Sequence, residues 1–138
     1  YYNLSGGLTY KTITGKLGYE VMGGNGRYAF QTPYATLHKF DGWADMFLTT
    51  PVRGLTDLSL GVNATIKPLA NIVTAVTFHD FKSSKGSRRY GDEWDLSVGK
   101  TFFKQYLFSI EYANFDAKTA AYSNTQKLWL TVVTKFSS

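Results

Sequence analysis

The sequence predicts an all-β fold, a transmembrane antiparallel up-and-down β-barrel, and three observations predict it. First, most of the chain alternates apolar and polar residues with a period of two, the signature of strands with one oily face. Second, the connections between these segments are alternately short and long, as in membrane barrels with tight turns at one rim and loops at the other. Third, the face opposite the apolar strip carries Lys, Glu, Asp, Asn and His. A dry core of this size does not tolerate such residues unpaired, and a water-filled lumen does. Among the 138 residues, 43% are hydrophobic, 17% aromatic and 18% charged, which leaves enough apolar surface for a lipid-facing band. No apolar run reaches the ~18 residues of a membrane helix. The ten Tyr and three Trp suit membrane interfaces, having one apolar end and one wet end. Cysteine is absent, which excludes disulfides and thiolate chemistry. A formal charge of +5 favours anionic partners. No basic run is long enough to favour nucleic acid.

In order, the first strand runs over residues 2–11, with Tyr2, Leu4, Gly6, Leu8 and Tyr10 on one side and polar or small residues between them. Residues 12–15 form a short turn. The second strand, 16–22, sets Leu17, Tyr19 and Val21 against Lys16, Gly18 and Glu20. It ends at Gly23-Gly24-Asn25-Gly26, a cluster suited to positive φ. From about 27 to 56 the alternation fails. That stretch is too aromatic for disorder, with Tyr28, Phe30, Tyr34, Phe40, Trp43 and Phe47, so a folded functional loop is expected, with a helical turn near 42–47.

Alternation resumes at Asp57, where Leu58, Leu60, Val62, Ala64 and Ile66 oppose Ser59, Gly61, Asn63, Thr65 and Lys67. Residues 68–71 turn, and a fourth strand covers 72–81. A basic loop follows over 82–89. The fifth strand, 90–100, sets Trp94, Leu96 and Val98 against Glu93, Asp95 and Ser97. A turn over 101–105 leads to a sixth strand with Tyr106, Phe108, Ile110 and Tyr112 on one face, and 116–126 is a polar loop. The last strand, 127–136, ends on Phe136 and resembles the closing strand of bacterial outer-membrane barrels. Its length suits a tilted bilayer crossing. Seven strands are visible, or eight if the long loop hides one. If Phe136 lies on the periplasmic side, the first strand also runs inward. The chain, 1–138, then reads as a single β-barrel domain or the C-terminal part of a larger barrel, since single-chain bacterial barrels have even strand numbers. The strand-like opening Tyr-Tyr-Asn-Leu-Ser fits a processed chain or a segment of a longer one.

The stretch from Phe30 to Pro51 contains Thr32-Pro33, Leu37-His38-Lys39-Phe40-Asp41-Gly42-Trp43-Ala44-Asp45-Met46-Phe47 and Thr50-Pro51. With Gly54-Leu55-Thr56-Asp57, Phe78-His79-Asp80-Phe81 and Tyr90-Gly91-Asp92-Glu93-Trp94-Asp95, it resembles the alginate-export family of outer-membrane barrels. The resemblance implies a barrel of about eighteen strands, of which this chain is the C-terminal third or so. It also implies passive export of an anionic polysaccharide through a basic pore in the bacterial outer membrane.

Candidate pore residues follow from position and charge. Arg27, Lys39 and Arg53 lie in or beside the long loop, where arginine suits paired contacts with carboxylates. Solvated charges or ion pairs with Asp41, Asp45 and Asp57 are the alternative. Lys16, Glu20, Asn63, Lys67, Glu93, Asp95 and Glu111 fall on the polar face and are expected to line the lumen, or to form charge ladders across neighbouring strands. Arg88 and Arg89 are placed in an external loop, in reach of lipopolysaccharide phosphates or an incoming polymer. His38 with Asp41 and Asp45 is too thin a set to assign a metal, and no cofactor is expected. His79 and its neighbour Asp80 point to opposite faces, so adjacency implies no dyad. There is no Gly-x-Ser-x-Gly, and Gly23-Gly24-Asn25-Gly26 lacks the Lys-Ser or Lys-Thr of a phosphate loop, so an enzyme is not expected. A channel for an anionic solute is the leading reading. A soluble lipocalin-like ligand-binding barrel, with its apolar strips inside, and a non-conducting structural barrel are the alternatives.

Overall fold

The computed structural model describes residues 1–32, 41–69 and 71–134. Seven strands form one antiparallel sheet in chain order: β1 (Tyr2–Tyr10), β2 (Ile13–Met22), β3 (Leu55–Ile66), β4 (Ile72–Lys82), β5 (Arg89–Phe102), β6 (Tyr106–Ala117) and β7 (Thr125–Thr134). Each strand pairs with the next. The fold is therefore all-β and up-and-down, with seven strands among the described residues.

Several boundaries move. The first turn is Lys11-Thr12 rather than 12–15, because Lys11 takes a positive φ of 54° and closes a two-residue hairpin that pairs Tyr10 with Ile13. β5 and β6 run on to a loop of Phe103, Lys104 and Gln105, closed by the Gln105 N–H donating to the Phe102 carbonyl at 3.0 Å. Lys67, expected on the lumen face, sits instead in a 3-10 turn (Lys67–Leu69) and is exposed at the tip of the β3–β4 connection. The short connections share one rim. The described residues of the other connections, 23–32 with 41–54, 83–88 and 118–124, share the opposite one. The described part of the long loop holds no eighth strand and no helical turn. It makes an isolated bridge, Gly24 to Ala29, and a chain of tight turns in which Asp41 and Asp45 adopt positive φ. Phe136 lies outside the described residues.

The two faces of the sheet differ. Leu8 (86% exposed), Leu60 (59%), Val98 (49%) and Leu130 (74%) belong to a continuous apolar face that none of the described residues covers. The other face carries the polar residues. At its long-loop end it is covered by residues 41–50, forming a core of Met22, Ala44, Phe47, Leu55, Phe81, Tyr90, Ala113 and Phe115.

The apolar face is bounded in a particular way. Its rows, taken across the hydrogen-bonded register, do not end at one level. The row from Leu4 runs through Tyr19 and Leu58 and then becomes Asp80, Asp92 and Asp116. On β4 and β5 the apolar edge is one row lower, at Phe78 and Trp94. On β6 and β7 it is lower again, at Tyr112 and Leu128. The opposite edge descends in step, from Tyr10 and Ile13, through Ile66 and Ile72, to Phe102 and Tyr106. Between β1 and β6 the lower edge falls by two rows, with Lys100 interrupting it on β5, and the upper edge falls by two rows from Leu4 or three from Tyr2. Two rows are about 14 Å along the strands, and five strand spacings are about 24 Å, so the band lies at about 30° to the hydrogen-bond direction. Its depth of three to four rows is about 18–24 Å after that tilt. Aromatic rings mark both edges.

Candidate functional site

The loop is held on the polar face by two acids of β5. The Ala44 N–H donates to Glu93 Oε1 at 2.6 Å, and the Trp43 N–H to Asp95 Oδ2 at 3.2 Å. Both carboxyls are buried, with Glu93 0% and Asp95 1% exposed. They were expected to line a lumen. They anchor the loop instead, because a carboxyl buried beneath it is stable only where backbone N–H groups or cations reach it. Gly42 makes the approach possible. Its φ is +82°, and a Cβ there would lie 2.7 Å from the Glu93 carboxyl carbon and both its oxygens. Phe47 completes the attachment, with ring centroids 4.6 Å from Phe81, 5.2 Å from Tyr122, 5.8 Å from Tyr90 and 5.9 Å from Phe115. Thr50 and Gln31 bond reciprocally: the Thr50 N–H donates to Gln31 Oε1 at 3.1 Å, and Gln31 Nε2 to the Thr50 carbonyl at 3.0 Å.

Beneath the loop lies a chain of titratable groups. His79 Nδ1 is 2.8 Å from Asp57 Oδ2, and its Nε2 is 3.6 Å from Asp95 Oδ2. A carboxylate acceptor requires Nδ1 to carry the proton. Asp80 indeed points away from His79, and the partner is Asp57, on the neighbouring strand and 22 residues back. Only the register of β3 against β4 brings the two together. Glu20 accepts from Asn3 Nδ2 at 2.8 Å. Asp41 Oδ1, Glu93 Oε2 and Asp95 Oδ1 are buried without a hydrogen-bond donor among the described residues. Burial holds the Asp41 carboxyl up at about 7, the Glu20 and Asp57 carboxylates push the same way, and His79 opposes them. Among the described residues, no group of three or more His, Asp or Glu is arranged to hold a metal ion.

The alternative of ion pairs from Arg27 and Arg53 to Asp41, Asp45 and Asp57 is not realised among the described residues. Lys127 takes Asp45 instead, at 2.9 Å. Arg27 and Arg53 are exposed at the long-loop rim, and the β4–β5 loop meets them there. The Lys85 N–H and Ser84 Oγ donate to the Arg53 carbonyl at 3.0 and 3.2 Å, and Lys85 Nζ donates to the Asn25 carbonyl at 3.0 Å. Arg88 is exposed beside them. The rim thus gathers Arg27, Arg53, Lys85 and Arg88. Lys39 and His38 lie outside the described residues. Lys16 is exposed in a cavity of about 480 Å³ on the polar face, floored by Gly7, Gly18 and Gly61. Asn63 is half-buried on the same face, and Glu111 accepts from Ser109 Oγ at 3.3 Å.

Arg89, grouped with Arg88 by adjacency, belongs to a different structure. Tyr90 is the extra residue of a β-bulge where the register shifts past Phe81. Tyr90 therefore turns into the core, its hydroxyl donating to the Gly54 carbonyl at 3.0 Å. Arg89 is left on the apolar face above Trp94, where it bonds Asp80 at 3.2 Å and Asp92 at 2.5 Å. Asp80, Asp92 and Asp116, with Lys82 and Lys118, were not singled out from sequence; their i, i+2 spacing along the apolar face was the available signal.

Comparison with known protein families, curated proteins and solved structures finds no match to this chain.

Proposed function

We propose that the chain is wall and constriction loop of a bacterial outer-membrane β-barrel that passes an anionic solute, with an acidic polysaccharide as the class the alginate-export resemblance suggests. The observation that carries the membrane part is the slanted apolar band. A band three to four rows deep, slanted by about 30° from the hydrogen-bond direction and edged by aromatic rings, is what a planar apolar layer imposes on tilted strands, which in membrane barrels lean by about 35–45° around a band about 25 Å tall. A lipocalin-like barrel turns its apolar strips inward, and here they are the exposed ones. Among the described residues no helix is long and apolar enough to cross a membrane, so the crossing falls to strands.

The anion preference rests on which charges the docked loop leaves in water. Glu93, Asp95, Asp57 and Asp41 are withdrawn beneath it, while Lys16, Arg27, Arg53, Lys85 and Arg88 stay exposed. A rim with exposed cations raises the local anion concentration and lowers the barrier to entry. The full-length protein in planar bilayers is expected to conduct with anion selectivity, and neutralising Arg53 and Arg88 together is expected to reduce it. Cation selectivity in the unaltered protein refutes the solute assignment. Leu60→Arg tests the membrane part separately: a charge in the apolar band costs about 2–4 kcal/mol of insertion near the bilayer midplane, so refolding into vesicles should drop sharply. Unchanged insertion counts against lipid contact.

A further inference from the structure

The row above the aromatic edge of the apolar face is unusual. Asp80, Asp92 and Asp116 stand directly opposite one another on three adjacent strands. Like charges so placed repel and destabilise a sheet. The arrangement holds because cations straddle it. Lys82 Nζ bonds Asp80 at 2.5 Å, Arg89 spans Asp80 and Asp92, and Lys118 spans Asp92, at 3.6 Å, and Asp116. The acids are the recessed members on β4 and β5, with side chains 14% and 17% exposed, whereas Lys82 and Arg89 are 51% and 48% exposed. Arg89 spends Nε on Asp80 and Nη2 on Asp92, which leaves Nη1 engaged by neither aspartate. Lys82 keeps two ammonium hydrogens. On β6 the order reverses, Asp116 being 49% exposed against 35% for Lys118, so the preorganised cationic donors are chiefly Lys82 and Arg89, their side-chain entropy already spent on the aspartates.

We propose that Lys82, Arg89 and Lys118 seat the phosphate of a lipid headgroup in the leaflet at the long-loop end. This rests on the membrane reading above. The site lies on the opposite face from the loop and its cavity, so a solute moving through the barrel does not meet it. It stands directly above the edge formed by Phe78 and Trp94, whose rings lie 4.9 Å apart, which is the level of headgroups if that edge marks the apolar boundary. The cluster carries three cations against three aspartates, so what it offers a phosphate is the remaining donors, Arg89 Nη1 and the unspent ammonium hydrogens of Lys82 and Lys118, rather than net charge.

The test is equilibrium binding of fluorescent bisphosphorylated lipid A, and of the same lipid stripped of its phosphates, to the full chain in detergent. Because removing cations alone exposes three facing aspartates, the informative variant is the balanced Arg89→Gln with Asp92→Asn; Arg88→Gln at the rim is the control. The unaltered chain should prefer the phosphorylated lipid by about tenfold or more, the worth of one charge-assisted bond. The balanced variant should lose that preference while binding the stripped lipid unchanged, and Arg88→Gln should keep it. Equal binding of both lipids by the unaltered chain, or a preference that survives in the balanced variant, overturns the seat but leaves the membrane reading intact. A chain that stays soluble without detergent and takes up neither lipid overturns both.

Discussion

Replacing Gly42 with alanine isolates what holds the loop on the polar face. Two costs add. At φ +82° an alanine is disfavoured against glycine by about 1 kcal/mol. The new methyl also lies 2.7 Å from the carboxyl of Glu93, which cannot retreat without giving up the 2.6 Å bond from the Ala44 N–H. A buried donor left unmet costs about 1–3 kcal/mol. The sum, about 2–4 kcal/mol, corresponds to about a thirty- to thousand-fold shift in loop undocking. Hydrogen exchange at the Ala44 and Trp43 amides, in full-length protein folded into micelles, reads this directly. Gly26→Ala is the matched control. Its φ is +95°, but nothing lies within 4 Å of the added methyl, so only the backbone cost applies and exchange at Ala44 should not change. If Gly42→Ala leaves the Ala44 amide as protected as before, the loop is not anchored through Glu93 and the account of the site fails.

Two further outcomes follow from the same geometry. The Asp41 carboxyl, held at about 7 against an ordinary 3.8, keeps a proton in the docked loop that it loses in the free one. The docked state then binds more protons between about pH 4 and 7, so docking weakens as pH rises through that window. The full difference is worth up to about 4 kcal/mol. Protease nicking of the loop should rise with pH over that range, and Asp41→Asn should reduce the dependence; a flat profile in the unaltered protein would contradict it. Phe47→Ala removes a ring 5% exposed and in contact with four other aromatics, at a cost of about 3–5 kcal/mol. The loop should be released while the sheet survives, seen as faster proteolysis at residues 41–50 with unchanged far-ultraviolet circular dichroism.

The strands and their faces were legible in the sequence because a strand's side chains alternate strictly. A run such as Leu58-Ser59-Leu60-Gly61-Val62-Asn63 therefore states both its conformation and its two environments without reference to any neighbour. The sorting of short and long connections was legible for the same reason, since only the gaps between runs had to be counted. The place of Arg89 was not, because the bulge at Tyr90 breaks the alternation from which its face would be read. Nor was the burial of Glu93 and Asp95, which depends on a loop segment 49 residues earlier delivering the Ala44 amide. By itself, then, the sequence determined seven strands, an oily and a polar side, and an aromatic loop. The tertiary structure decided which charges meet: Asp57 with His79, Glu93 with Ala44, and Asp80, Asp92 and Asp116 in one row. Periodicity is a property of a single strand, whereas register belongs to pairs of strands and is set by where their turns close.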